Sequence, residues 1–118
     1  MSDLGTDLDL ASALEDATRS RTGLPGRSVV ALALDGEESV VEIVDGRVSM
    51  ADEEAEAAVT VPLTSRQLAS FLAGDDSLAR AYMRGDVKPV GSSGALLAVV
   101  EVLEDDEVRA RLAASGRG

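Results

Sequence analysis

The 118-residue chain contains no cysteine, no histidine and no tryptophan, and only one phenylalanine and one tyrosine. Without cysteine there can be no disulfide, no thiolate nucleophile and no zinc–cysteine site. Without histidine the usual Ser-His-Asp and Cys-His catalytic arrangements are excluded, and the commonest transition-metal ligand is missing. We therefore expect a protein that is not an enzyme and that holds no metal and no cofactor.

Positive charge is also scarce, because 11 basic residues face 22 acidic ones and the net charge is −11. Nucleic acid is excluded as a partner, since binding it depends on Lys and Arg neutralising phosphates. No apolar run approaches the roughly 20 residues that span a bilayer, so we expect no stable membrane insertion. The N-terminus has no basic segment followed by an apolar run, which predicts a cytoplasmic protein.

Four strands are predicted in the first half of the chain, after a helix over residues 8–20 that Thr6–Asp9 would cap. The strands are expected at 28–34, 39–44, 47–51 and 57–63. The first is apolar on both faces, which predicts a central strand covered on both sides. Asp45-Gly46 is a strong hairpin signal because both positions of such a turn take positive φ. Pro62 lacks an N–H, so its end of the strand should be only partly paired or lie at an edge.

Helix start and stop signals dominate the second half. One helix is predicted from a capping box at Thr64 and Gln67 to a stop at Gly74, and a second from caps at Asp75-Asp76 to a stop at Gly85. A short strand is expected at 86–90. A third helix would begin at a cap at Ser92 or Ser93, and a last one at Asp105-Asp106. The resulting order, α-β-β-β-β-α-α-β-α followed by a last helix, predicts one α+β domain over residues 1–118 with a mostly antiparallel sheet. The fifth strand follows a helical crossover and could pair in parallel.

The segment Ala95–Leu103 carries one charge in nine residues. It is too apolar for a surface helix and too short to cross a membrane, so it must be buried in the protein, in a partner or against a ligand. Two interpretations remain open: its side chains complete the core, or they line a cavity for an apolar ligand. Its single charge, Glu101, is expected on the exposed edge of the helix rather than as a polar anchor.

The C-terminal third resembles the signature of the sterol carrier protein type 2 family, in the segment Ala81-x-Met83-x-Gly85-x5-Gly91 and the apolar helix after it. The predicted hairpin, the Val59–Val61 strand and the helix end at Phe71–Gly74 match the middle of that family. The resemblance covers about residues 10–112.

This resemblance implies a five-stranded sheet with helices packed on one face, enclosing a tunnel for a fatty acid, a sterol-like molecule or an acyl chain. It implies transfer or presentation of a lipid without catalysis. By position, the residues expected to contact the ligand are Phe71, Leu72, Tyr82, Met83, Leu96, Leu97, Val99, Val100 and Leu103. The alternative is a non-catalytic interaction or dimerisation module, whose partner would be a second copy or a larger enzyme.

Overall fold

The computed structural model describes residues 3–23, 25–52 and 54–116, with side chains between positions 10 and 114. The helices within these ranges are α1 (Asp3–Ala17), α2 (Ser65–Ala73), α3 (Leu78–Arg84), α4 (Ser93–Leu103) and α5 (Asp106–Gly116). The strands are β1 (Arg27–Leu34), β2 (Glu37–Val44), β3 (Arg47–Met50), β4 (Val59–Leu63) and β5 (Val90–Gly91). The predicted α+β class and the order of elements are confirmed, including the last helix.

The sheet has the strand order β3-β2-β1-β4-β5, so the prediction that β1 is central is confirmed. Three of its four pairings are antiparallel, and the parallel one joins β1 to β4 rather than β5 to a neighbour. The path of the chain explains this. Because β3 runs in the same direction as β1, the connection over residues 51–58 returns to the starting end of the sheet and enters β4 parallel to β1.

The described helices cover only one face of the sheet. The register aligns Val30 of β1 with Val41 of β2 and Val59 of β4, and this face joins the helices in one hydrophobic core. The opposite face of β1, which includes Ala31, lies outside that core. The prediction that β1 is covered on both sides is therefore wrong. Ala31 is buried because it is small and lies between Val40 and Thr60 on the neighbouring strands.

Several element boundaries differ from the sequence prediction: β2 begins two residues earlier and β4 two residues later than predicted, and three further differences follow. The first helix begins at Asp3 and ends at Ala17, so the predicted caps at residues 6–9 lie inside it, and their side chains are outside the described residues. The cap of α3 is Ser77, whose hydroxyl accepts from the Arg80 N–H, and not Asp75-Asp76. The fifth strand is Val90–Gly91 and shares only Val90 with the predicted strand at 86–90, because Val87 turns into the core, where it is 2% exposed.

Most turn and cap predictions are confirmed. Asp45 and Gly46 have φ values of 52° and 85°, as the hairpin turn requires. Thr64 and Gln67 form both hydrogen bonds of a capping box at the start of α2. Pro62 has no partner on the side of β5, because β5 pairs only with the first two residues of β4. The helix start predicted at Ser92 or Ser93 is at Ser92, whose side chain accepts from the Ala95 N–H. The helix that begins there, α4, packs over β1 and β4.

Candidate functional site

An apolar cavity lies between the covered face of the sheet and helices α1, α2 and α4. It is lined by Leu10, Leu14, Val30, Leu32, Val41, Ile43, Val48, Leu63, Leu68, Val99, Val102 and Leu103. Its volume is about 10 Å³, measured as the space open to the centre of a water molecule, so it holds one water at most. Since these side chains offer no hydrogen-bond partner, the cavity is expected to be dry.

The positions of two helices create this cavity. Helix α1 packs mainly over β3 and β2, while α4 packs over β1 and β4, so a seam remains above the centre of the sheet. Val30 and Val41, which are almost fully buried, form its floor. Val99 and Val102 reach it from α4 because their spacing of three residues places them on one helix face.

The nine residues expected from the sequence to contact a ligand are spread over three environments. Val99 and Leu103 line the cavity. Phe71 and Leu96 are buried in the surrounding core, and Leu72 and Val100 are half-buried against it. Tyr82, Met83 and Leu97 are 47%, 83% and 61% exposed. The structure thus brings two of the nine together at the cavity and places three of them on the surface.

Most of the cavity lining was not among those nine residues. Val102 was missed, although the spacing Ala95–Val99–Val102 is a helical stripe that the sequence displays. The strand residues were missed as well, although the alternation through β1, β2 and β3 marks the face to which they belong. What the sequence does not display is which helix crosses which strand, and that crossing selects the lining.

Arg21 connects the cavity's helical walls through a partly buried ion-pair network. Its Nη2 donates to Oε2 of Glu101 at 2.7 Å, and its Nε donates to Oδ2 of Asp105 at 3.1 Å. Its Nη1 donates to the Gly46 carbonyl at 3.0 Å. Burial alone would lower the pKa of Arg21, but the hydrogen bonds to Glu101 and Asp105 outweigh it and raise that pKa. The expectation that Glu101 lies on an exposed edge is therefore wrong, because it anchors α4 to the segment after α1.

Asp105 has a second role at the start of α5. Its Oδ1 accepts from the backbone N–H groups of Val108 and Glu107, at 3.1 Å and 2.9 Å. The Val108 N–H is the main reason that the pKa of Asp105 lies below its usual value, and Arg21 adds to the effect. The carboxylate therefore stays ionised and acts as a helix cap, as the sequence predicted for this position.

The other strongly perturbed carboxylate is also structural. Hydrogen bonds from Arg84 and then from the Ser77 backbone lower the pKa of Asp76 to about 2. Such a group is ionised at neutral pH and poorly suited to act as a general acid. Among the described residues no cluster of acidic side chains could hold a metal ion, and no described helix is long and apolar enough to span a membrane.

Comparison with known proteins places this geometry in context. No protein-family model matches the sequence, and no curated protein matches it significantly. Solved structures do match. The sterol carrier protein domain 2 of Helicoverpa armigera aligns with a TM-score of 0.56 and 15% identity, over 84% of this chain and 86% of that one. The sterol carrier protein 2 like 2 of Aedes aegypti aligns with a TM-score of 0.52 and 12% identity, over 83% and 99%.

The chain has the sterol-carrier fold. This chain also aligns with part of a larger protein, the sec-alkyl sulfatase PisA1, with a TM-score of 0.56 and 20% identity. That alignment covers 83% of this chain but only 16% of the sulfatase. The same architecture therefore occurs both in separate sterol carrier proteins and inside an enzyme.

Proposed function

We propose that this protein binds an apolar lipid between the sheet and helices α1 and α4, and transfers or presents it in the cytoplasm without catalysing a reaction. One observation carries the proposal: in a sterol-carrier fold, the covered face of the sheet borders a cavity that, among the residues whose side chains are described, is lined by aliphatic groups alone. A single domain over residues 1–118 would be sufficient for this activity.

The cavity must widen before a lipid can enter. Its volume of about 10 Å³ is far below the roughly 300 Å³ at which small-molecule sites begin. The sheet is held by its hydrogen-bond ladders, whereas α1 and α4 rest on it through side chains. We therefore expect one of these helices to move away from the sheet when the ligand binds.

Burial of the ligand's own surface can drive this movement. About 300 Å² of apolar lipid surface, at about 25 cal/mol per Å², corresponds to roughly 7 kcal/mol before the costs of association and of helix movement. Micromolar affinity corresponds to about 8 kcal/mol, so the ligand must bury more apolar surface than this to offset the costs of association and of helix movement.

The nine residues expected from the sequence have different parts in this proposal. Val99 and Leu103 would contact the ligand first, because they already line the cavity. Phe71, Leu72, Leu96 and Val100 would be exposed to it as the cavity widens. Tyr82, Met83 and Leu97 would contact only a part of the ligand that extends out of the protein.

A pair of matched substitutions tests the proposal. Val99→Phe fills the cavity, so binding of an apolar fluorescent probe should weaken at least tenfold, which is about 1.4 kcal/mol. Val90→Phe adds the same group at a position that is 72% exposed and should leave binding unchanged. Equal affinity of both variants for the probe would contradict binding in this cavity.

A second candidate function is supported by one observation. Four large apolar side chains in the segment from α3 to α4 (Tyr82, Met83, Val90 and Leu97) are each at least 47% exposed. Together with the occurrence of this fold inside a sulfatase, this favours a non-catalytic interaction or dimerisation module as the alternative. A dimer or a stable enzyme complex that forms without any lipid would support it. A lipid-loaded monomer in native mass spectrometry would exclude it.

A further inference from the structure

The face of the sheet that the described helices leave uncovered, which we call the open face, is unusually apolar. The strand register places five apolar residues of β1 and β2 on it: Val29, Ala31, Ala33, Val40 and Val44. None of them belongs to the hydrophobic core, and all but Ala31 are only half-buried. A sheet face in contact with water usually carries polar side chains at alternate positions. The open face of β1 carries none after Arg27, which is typical of an interface.

The charges of the open face balance, although those of the whole chain do not. The chain has a net charge of −11. The strand positions of the open face carry two arginines and two glutamates, which are Arg27, Arg47, Glu38 and Glu42. Arg27 donates to Glu42, so these two charges neutralise each other. Repulsion between two copies of the chain is therefore smaller at this face than at the acidic remainder of the surface.

The other two charges, Arg47 and Glu38, lie at opposite ends of the open face. Arg47 pairs in register with Val44, which also pairs with Arg27, so these three residues form one row across the strands. Glu38 lies on the same strand as Val44, about 20 Å away along β2. Among the described residues the Glu38 carboxylate has no ion-pair partner. The Arg47 guanidinium donates to a backbone oxygen, that of Arg21, at 3.2 Å.

We propose that two copies of this chain associate through their open faces, related by a two-fold axis that lies between the sheets and runs across the strands. This axis reverses the strand direction, so Glu38 of each copy lies opposite Val44 of the other, in the row that contains both arginines. Packed sheets are rotated by about 30°, which moves Glu38 sideways by about one strand spacing. It then lies opposite Arg27 or Arg47, and the apolar residues of the two faces pack between the two Glu–Arg contacts.

The size of the open face sets the strength of this dimer. Five strands about 4.8 Å apart, the longest of them about 26 Å long, give a face of roughly 500 Å². Two copies would bury about 1,000 Å², which is at the lower limit for a specific interface. We therefore expect a reversible dimer with a micromolar dissociation constant. The cavity lies on the other face of the sheet, so this inference does not depend on the proposed function and is compatible with lipid binding.

Sedimentation velocity of the full chain between about 5 and about 500 µM should show a monomer–dimer equilibrium. The variant Val29→Thr/Val40→Thr keeps two β-branched residues, so the sheet should be retained, but it adds two hydroxyl groups to the apolar part of the open face. It should weaken the dimer by about tenfold. Met83→Thr/Leu97→Thr, in the exposed segment from α3 to α4, is the matched control and should leave the dimer unchanged.

Charge reversal tests how the two copies are arranged. Glu38→Arg places an arginine opposite Arg27 and Arg47 and should weaken the dimer by about fivefold. Glu37→Arg makes the same change in net charge at the neighbouring residue, which alternates to the other face of the strand, and should not weaken it. Adding Arg47→Glu to Glu38→Arg should restore most of the lost affinity, because Arg27 is already paired within its own chain.

Three results would each overturn the inference. The first is a wild-type chain that stays monomeric over the whole concentration range. The second is a dimer that Met83→Thr/Leu97→Thr dissociates and Val29→Thr/Val40→Thr does not, which would place the contact at the segment from α3 to α4. The third is an equal effect of Glu38→Arg and Glu37→Arg. Because both glutamates are exposed, this last comparison still decides if the threonine variant fails to fold.

Discussion

Replacing Thr18 by Val should destabilise the protein by removing one acceptor. Thr18 is fully buried between the end of α1 and the edge strand β3. Its Oγ1 accepts from the N–H of Val48, which is itself 4% exposed. In Thr18→Val this N–H remains buried with no acceptor, at a cost of about 1 to 3 kcal/mol. The Leu14 carbonyl is affected less, because it still accepts from the Thr18 backbone N–H at 3.0 Å.

Thr18→Ser is the matched control, since it keeps the hydroxyl and loses only a methyl group, worth roughly 1 kcal/mol. For a chain of this length 1 kcal/mol shifts the melting temperature by about 4 °C. Calorimetry should therefore find the Val variant melting 4 to 12 °C lower than wild type. Hydrogen exchange at the Val48 amide should accelerate in the Val variant but not in the Ser variant. A Val variant as stable as wild type, with unchanged exchange at this amide, would refute the reasoning.

Three further predictions concern stability. Arg21→Gln should lower the free energy of unfolding by roughly 2 kcal/mol in urea titrations. Arg21→Lys should restore less than half of this stability, because an ammonium group cannot hold three acceptors in a fixed fork. Full restoration by Lys would contradict the role given to the Arg21 ion-pair network. The pKa of Asp76 is about 2 when folded and 3.8 when unperturbed, so its contribution is complete above pH 4 and is lost as the pH falls toward 2. Asp76→Asn should flatten this part of the stability profile, and an unchanged acid limb would argue against the ion pair. Gly91→Ala should lower the stability measured in thermal melts by roughly 2 kcal/mol or more, because φ at this position is 128° and the new Cβ would lie 2.2 Å from the Ala58 carbonyl oxygen. Gly85→Ala is the control: its φ is also positive but the space around it is open, so it should lower the stability by about 1 kcal/mol.

The features that sequence predicted well are those decided by local chemistry. Asp45-Gly46, the Thr64 capping box and the stop at Gly74 each depend on a few adjacent residues, and each was placed correctly. The central position of β1 also followed from its apolar pattern. The same pattern wrongly predicted that helices cover the second face of β1 as well. A small residue such as Ala31 is buried by the neighbouring strands alone, so its apolar character does not indicate a covering helix.

The features that sequence predicted poorly depend on contacts distant in the chain. Glu101 lies 80 residues from Arg21, and nothing near Glu101 in the sequence indicates that partner. Likewise, Val102 and the strand residues line the cavity only because α1 and α4 leave a seam over the sheet. A resemblance in sequence motifs indicated the fold, but the crossing of helices over strands decides which residues form the site.

The most direct test of the account is to locate a bound lipid by NMR. In a complex of the full chain with 1-dodecanol, intermolecular NOEs should connect the alkyl chain to the methyl groups of Val41, Val99 and Leu103, which line the cavity. Contacts confined to exposed side chains such as Met83 and Leu97 would place the lipid on the surface. That result would contradict binding between the sheet and helices α1 and α4.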